Sequence, residues 1–204
     1  MYPVIPIISG NINSPPEAEK TRIADMPEPP RITSRRDLAK TRIFHVEEID
    51  LTFSNGEQRR YERLLGGQRG SVLVVPMLDD DTVLLIREYS AGSQDYQLGL
   101  PKGRMEDGES PLAAADRELR EEVGYGAREL SLLKTLTLAP AYIQHDTHIV
   151  LARRLFPDRR PGDEPEPIEV VPWRLSDWAG LMQQPDLTEA RSIAALYMTR
   201  EILT

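Results

Sequence analysis

Glu118, Glu121 and Glu122 fall at i, i+3 and i+4, closely preceded by Glu109 and Arg117, in the stretch GRMEDGESPLAAADRELREEVGY of residues 103–125. Like charges three or four residues apart destabilise a helix by about 0.2–0.5 kcal/mol per pair. Such crowding therefore implies either screening by water or a cation held among the carboxylates. A solvated acidic face is the ordinary outcome for a lone E-x-x-E-E. Here, however, Arg117 can hold Glu121 at i+4, the turn at Gly103 brings Glu109 back to the helix start, and the core-facing side is filled independently. Carboxylate oxygens at this spacing suit Mg²⁺ or Mn²⁺, hard ions that prefer oxygen ligands and retain several waters.

The positioning element is a helix. Ser110 is a hydroxyl cap and Pro111 occupies the first position, where a missing N–H costs nothing. Gly124 is the stop. Between them Leu112, Ala115, Leu119 and Val123 share one face, expected to bury against a sheet, with the glutamates on a neighbouring, solvent-exposed face. On that reading Glu122 is an exposed group whose loss would leave folding stability nearly unchanged.

The rest of the chain supplies strands. IFHVEEIDLTF and EQRRYERL flank Asn55-Gly56, a pair suited to a tight hairpin turn. SVLVVPML and TVLLIREY, separated by Asp79-Asp80-Asp81, read as a second meander of central strands, followed by the extended piece YQLGLPKG. After the acidic helix come LSLLKTLTL, HIVLARRLF, the acidic proline loop PDRRPGDEPEP and a last strand IEVVPW. Two helices close the chain, one opening on Ser176 and one placing Ile193, Leu196, Tyr197 and Arg200 on adjoining turns. Residues 1–33, rich in proline and lacking periodicity, read as an irregular extension.

The 204 residues, 40% hydrophobic, suffice for one main domain. A net charge of -8 with scattered basic residues argues against a nucleic-acid polymer or an anionic membrane as partner. No cysteine is present, which excludes disulfides and thiolate chemistry. The apolar opening MYPVIPIISG lacks a preceding basic segment and is interrupted by Pro3 and Pro6, unlike a signal peptide, so a cytoplasmic location is expected.

The helix and its flanks resemble the Nudix hydrolase family, whose pattern is G-x5-E-x7-R-E-U-x-E-E-x-G-U with U a bulky aliphatic residue. Gly103, Glu109, Arg117, Glu118, Leu119, Glu121, Glu122 and Gly124 fit, and only Tyr125 departs, at a packing position. The resemblance implies a Nudix α/β/α sandwich with a mixed β-sheet, residues 67–204, preceded by an N-terminal antiparallel hairpin element, residues 34–66, that would form a homodimer. It also implies Mg²⁺- or Mn²⁺-dependent hydrolysis of a nucleoside diphosphate linked to another moiety. Glu118 and Glu122 would be the leading metal ligands, Glu121 would bridge or orient, Glu109 would support, the main-chain carbonyl of Lys102 would ligate, and Arg117 would position a glutamate.

Pro140 in LAPAY, about fifteen residues past the motif, together with LLIREYSAG, YQLGLPKG and GDEPEP, is similar to the ADP-ribose pyrophosphatase branch. That likeness implies an ADP-containing small-molecule substrate (ADP-ribose, NADH or diadenosine polyphosphates), AMP as product, and a general base on the loop before the last strand. Glu166 matches the branch position best, with Glu164 one step further out. Two departures stand out: Glu88-Tyr89-Ser90 where the branch often has Gln-Tyr-Arg, and Pro101-Lys102-Gly103 where it often has Pro-Ala-Gly. Arg87, Pro140 and the Lys102 side chain are candidate substrate contacts. His145 and His148 are expected to be ordinary loop or strand histidines and Trp173 and Trp178 packing residues. The alternatives are a Nudix-fold nucleotide sensor without turnover, and a hydrolase of another diphosphate such as a nucleotide sugar.

Overall fold

The structure is a computed structural model that describes residues 28–66 and 69–203. The expectation for the N-terminal extension therefore lies mostly outside the described residues. Within it, strand β1 (Arg31–Lys40) already begins at Arg31, earlier than the boundary expected at 34.

The chain divides into two compact units, one comprising residues up to Arg36 together with Glu48–Tyr61, the other Asp37–Glu47 together with Glu62–Thr204. The first unit contains parts of β1, β2 (His45–Thr52) and β3 (Gln58–Leu65), so the expected hairpin acquires a third strand. Its turn is built as the sequence suggests: Gly56 has φ 84°, the left-handed region, and Phe53 N–H donates to the Glu57 carbonyl at 2.9 Å. Asp50 ties the strands together, accepting from Ser34 at 2.9 Å and from Arg60 at 2.8 Å.

The second unit holds the sandwich. Strand β4 (Ser71–Pro76) is buried throughout, and both of its hydrogen-bonding edges are taken, by β7 (Lys102–Arg104) and, in parallel, by β10 (Asp146–Pro157). Strand β8 (Tyr125–Thr137) completes a sheet in the order β7-β4-β10-β8. With no free edge on β4, β5 (Thr82–Ser90) cannot pair with it as a meander; the two meet at the single bridge Met77–Val83. Instead β5 is the centre of a separate sheet, β11-β5-β6, with β11 (Glu169–Arg174) and β6 (Asp95–Gly99) antiparallel on either side. The short β9 (Ile143–Gln144) pairs with Leu64 and Leu65.

Alternation along these strands sends side chains to two cores. Leu73, Val75, Leu85, Ile149 and Leu151 pack on Leu181 of helix α2 (Trp178–Met182) and on Ala195 and Leu196 of helix α3 (Ala190–Leu203). Val72, Val74, Leu84, Ile86 and Val150 pack on Ala114 and Ala115 of helix α1 (Pro111–Glu118) and on Leu119 and Val123 of the turn that extends it. The strands are thus covered by helices on both faces, the expected α/β/α arrangement, with the middle layer split into two sheets. At the start of α2 the cap is Asp177, whose carboxylate accepts from Gly180 N–H at 3.3 Å; Ser176, the expected opening residue, bonds Asp81 instead.

Candidate active site

Helix α1 (Pro111–Glu118) begins as its sequence dictates, with Ser110 Oγ accepting from Ala113 N–H at 3.2 Å and Pro111 at the first turn. It does not remain α-helical to its end. Leu119–Val123 form a π-turn, closed by Gly124 N–H donating to the Leu119 carbonyl at 3.1 Å, and Gly124 ends it with φ 86°. The wider turn rotates the last residues relative to the first, a device common at functional sites. Along the helix and this turn Leu112 is exposed, Ala114 is buried, and Glu118 and Glu122 lie inside the buried arc. Glu122 is 4% exposed, so the expectation of an exposed residue there is corrected: its carboxylate is buried and accepts from the backbone N–H of Lys102 at the start of β7.

Arg117 organises this cluster. It donates to Glu109 Oε1 at 3.0 Å, Glu118 Oε1 at 2.7 Å, Glu121 Oε2 at 3.1 Å and the Arg104 carbonyl at 2.9 Å. Glu109 also accepts from Glu106 N–H at 3.0 Å, which folds the loop back on the helix. The Arg117 guanidinium holds the Glu109 carboxyl below its usual range, and Glu109 in turn raises Arg117. Gly103 is required by space rather than by dihedral, because a Cβ there would overlap the Glu118 carboxylate.

Among the described residues, Glu122 has no guanidinium partner of this kind. Its Oε2 accepts from Lys102 N–H at 3.0 Å, while the Lys102 ammonium pairs with Glu88. Burial first, and then the charge of Glu118, push the Glu122 carboxyl up to about 9. Burial also raises Glu118, offset in part by Arg117. Glu164, on the loop between β10 and β11, brings a carboxylate oxygen within 4.8 Å of those of Glu88 and Glu122. Its carboxyl is raised by partial desolvation, then by Glu88 and Asp163. Lys102, Glu118, Glu122 and Glu164 line a cavity of about 980 Å³ that also includes Arg69, Arg104, His145 and Asp163.

A smaller cavity of about 190 Å³ adjoins it, lined by Glu88 and Glu164 together with Arg87, Tyr89, Tyr96 and Glu166. Glu166 faces this second space and accepts from Tyr96 Oη at 2.6 Å. The structure thus brings Glu164 to the carboxylates and keeps Glu166 apart, the reverse of the order expected from loop position. Arg87 is paired with Glu169 at 2.7 Å and Asp186 at 2.9 Å. Pro140 lies exposed in the loop before β9 and lines neither cavity. His145 and His148 bond different partners, Ser71 at 2.9 Å and Thr135 at 2.9 Å, so they form no joint site. Trp178 packs edge-on to Tyr197 at 4.6 Å under Arg200, and Trp173 bonds the Asp177 carbonyl, both structural roles. Sequence reasoning missed Glu88, which appeared only as a departure from a motif, and the loop residues Arg159 and Asp163.

Buried carboxylates raised by desolvation, with further oxygen donors at bridging distance and few cations among them, fit a hard divalent ion. A sandwich that presents such oxygen donors from a glycine-framed loop and helix beside an open polar cavity is the architecture of a divalent-cation-dependent phosphohydrolase. The chain belongs to the Nudix family: residues 67–197 match the NUDIX domain and residues 30–63 the NudE-type Nudix hydrolase N-terminal domain. It is 46% identical over 174 residues to the ADP compounds hydrolase NudE of Escherichia coli (strain K12), covering 85% of this chain and 93% of that protein. Identity to the ADP-ribose pyrophosphatase of Bacillus subtilis (strain 168) is 27%, over 79% of this chain and 90% of the relative. A crystal structure of an ADP compounds hydrolase superposes with a TM-score of 0.81 at 45% identity, covering 87% of this chain and 96% of that one. The protein is therefore a Nudix hydrolase, an enzyme class that requires a divalent metal. Among the described residues, no helix is long and apolar enough to cross a membrane.

Proposed function

We propose that the chain hydrolyses the diphosphate bond of ADP-linked small molecules (ADP-ribose, NADH and diadenosine polyphosphates) with Mg²⁺ or Mn²⁺, releasing AMP. The observation that carries this reading is the buried pair Glu118 and Glu122, which with Glu164 lines a cavity large enough for a nucleotide, Glu88 lying close to Glu122 and Glu164. Similarity to the ADP compounds hydrolase along most of both chains supports the substrate class.

Glu118 and Glu122 are the principal metal ligands, with Glu121, Glu109 and the Lys102 carbonyl in support. When bound, the divalent cation neutralises the diphosphate and acidifies a water. Arg117 fixes the rotamers of Glu109, Glu118 and Glu121 through its fork of donors. Glu164 takes the proton of the attacking water on a carboxylate oxygen, and its raised pKa brings it nearer the operating range of a general base. The Lys102 ammonium, held by Glu88 at the cavity edge, faces the phosphate charge. Arg87 acts at one remove, bracing the wall of the smaller cavity through Glu169 and Asp186.

The N-terminal strands serve dimerisation in this proposal. Among the described residues β1 is exposed except at Ile32, which leaves its surface open to a second copy of the chain. Cytoplasmic location fits the absence of cysteine from the sequence. A panel of ADP-ribose, NADH and diadenosine polyphosphates, assayed for AMP with Mg²⁺, Mn²⁺ or EDTA, tests the function. Metal-dependent AMP release is expected; tight binding of these nucleotides without turnover would overturn it.

A further inference from the structure

The loop Asp158–Ile168 that carries Glu164 is tied down at both ends. At its start, Asp158 N–H donates to the Gly124 carbonyl at 3.0 Å and Arg160 N–H to the Arg120 carbonyl at 3.1 Å. Arg159 reaches over the end of the π-turn, where its guanidinium donates to the Val123 carbonyl at 3.2 Å and the Glu121 carbonyl at 3.4 Å. These carbonyls belong to the last turn, whose oxygens have no partner further along the helix. Gly124 serves this contact as well as its own left-handed φ, because a Cβ there would lie 2.8 Å from Arg159 Nε. At the far end, Glu166 accepts from Tyr96 Oη at 2.6 Å and Glu169 from Arg87 at 2.7 Å.

Between these ties the chain has little freedom. Pro161, Pro165 and Pro167 fix φ at intervals, so the ends of the span determine where its middle lies. That middle passes the acidic helix, with the Cα of Gly162 close enough to Glu121 that a Cβ would stand 3.6 Å from the Glu121 Cβ. Two residues later, Glu164 meets Glu88 and Glu122.

We infer that Arg159 and Tyr96 are positioning residues, which clamp the loop at the helix end and at β6 so that Glu164 is held over the carboxylate site. The inference rests on the role proposed for Glu164 and adds to it a means of placement. It also gives Glu166 a function of its own: an anchor for the loop.

Tyr96→Phe removes one hydroxyl and Arg159→Met one guanidinium, each from an exposed or half-exposed side chain, so the fold should survive both. Hydrogen exchange of the peptide spanning residues 156–168, which contains the bonded amides of Asp158 and Arg160, in the metal-free protein reads the clamp. A hydrogen bond to a charged group predicts exchange about tenfold or more faster in either variant. Steady-state kinetics with ADP-ribose should show kcat about tenfold lower with KM within about twofold, since a misplaced base affects turnover rather than binding. Unchanged exchange in both variants overturns the clamp. Faster exchange with unchanged kcat, alongside Glu164→Gln that is itself inactive, overturns the claim that the clamp places Glu164. A fully active Glu164→Gln would instead refute the base assignment, a failure distinct from either of these.

Discussion

Replacing Glu122 by glutamine should make the metal-free protein more stable. The wild-type carboxyl is 4% exposed, and burial raises it from 4.5 to about 9. The folded state therefore binds a proton that the unfolded chain releases across this window. Stability from this group is fully present below pH 4.5, falls as pH rises, and levels off above about 9. At pH 7 the penalty is about 1.4 kcal/mol per unit over some 2.5 units, or about 3 kcal/mol. Glutamine keeps an oxygen to accept from Lys102 N–H and carries no charge, so Glu122→Gln should recover most of that. For a chain of this size each kcal/mol moves Tm by about 2–4 °C, giving a rise of about 6–12 °C at pH 7 in EDTA. The rise should be small at pH 5 and greatest near pH 9. Thermal denaturation of both proteins at pH 5, 7 and 9 measures it, and Mn²⁺ should then stabilise the wild type far more than the variant. A lower Tm for the variant at pH 7 in EDTA, or parallel pH profiles, would refute the argument that Glu122 is a buried carboxyl that keeps its proton until a cation replaces it.

Glu164→Gln should lower kcat by about 10²–10⁴-fold with little change in KM, and Glu166→Gln by about tenfold, measured by AMP release; the opposite ranking would return the base to Glu166. Gly103→Ala, whose new methyl must displace the Glu118 carboxylate, should weaken Mn²⁺ binding by at least about tenfold in calorimetry while moving Tm only slightly. Light scattering at micromolar concentration should report a homodimer, and a fully active monomer would defeat the role given to the N-terminal strands.

Much of the site was legible because its elements are local. Ser110-Pro111 and Gly124 mark the helix, and residues at i, i+3 and i+4 must share one side of it, so Arg117 and its glutamates could be grouped before any fold was known. The hairpin turn at Asn55-Gly56 is local in the same sense. What the tertiary structure decided were facts that depend on distant partners. Periodicity at 100° per residue groups side chains by direction but does not say how wide the covered arc is, and the packed structure covers Glu118 and Glu122 and leaves Leu112 exposed. Adjacent strands β4 and β5 looked like a meander, but a strand has only two edges, and β10, some seventy residues away in sequence, takes one of those on β4. Where Glu164 and Glu166 lie depended likewise on remote partners: Tyr96, about seventy positions earlier, donates to Glu166 in the smaller cavity, while Glu164 meets Glu88 and Glu122. Spacing along a chain determines which side chains can share a helix face; which of them lose water, and whose charge they meet when they do, is determined only when remote segments pack together.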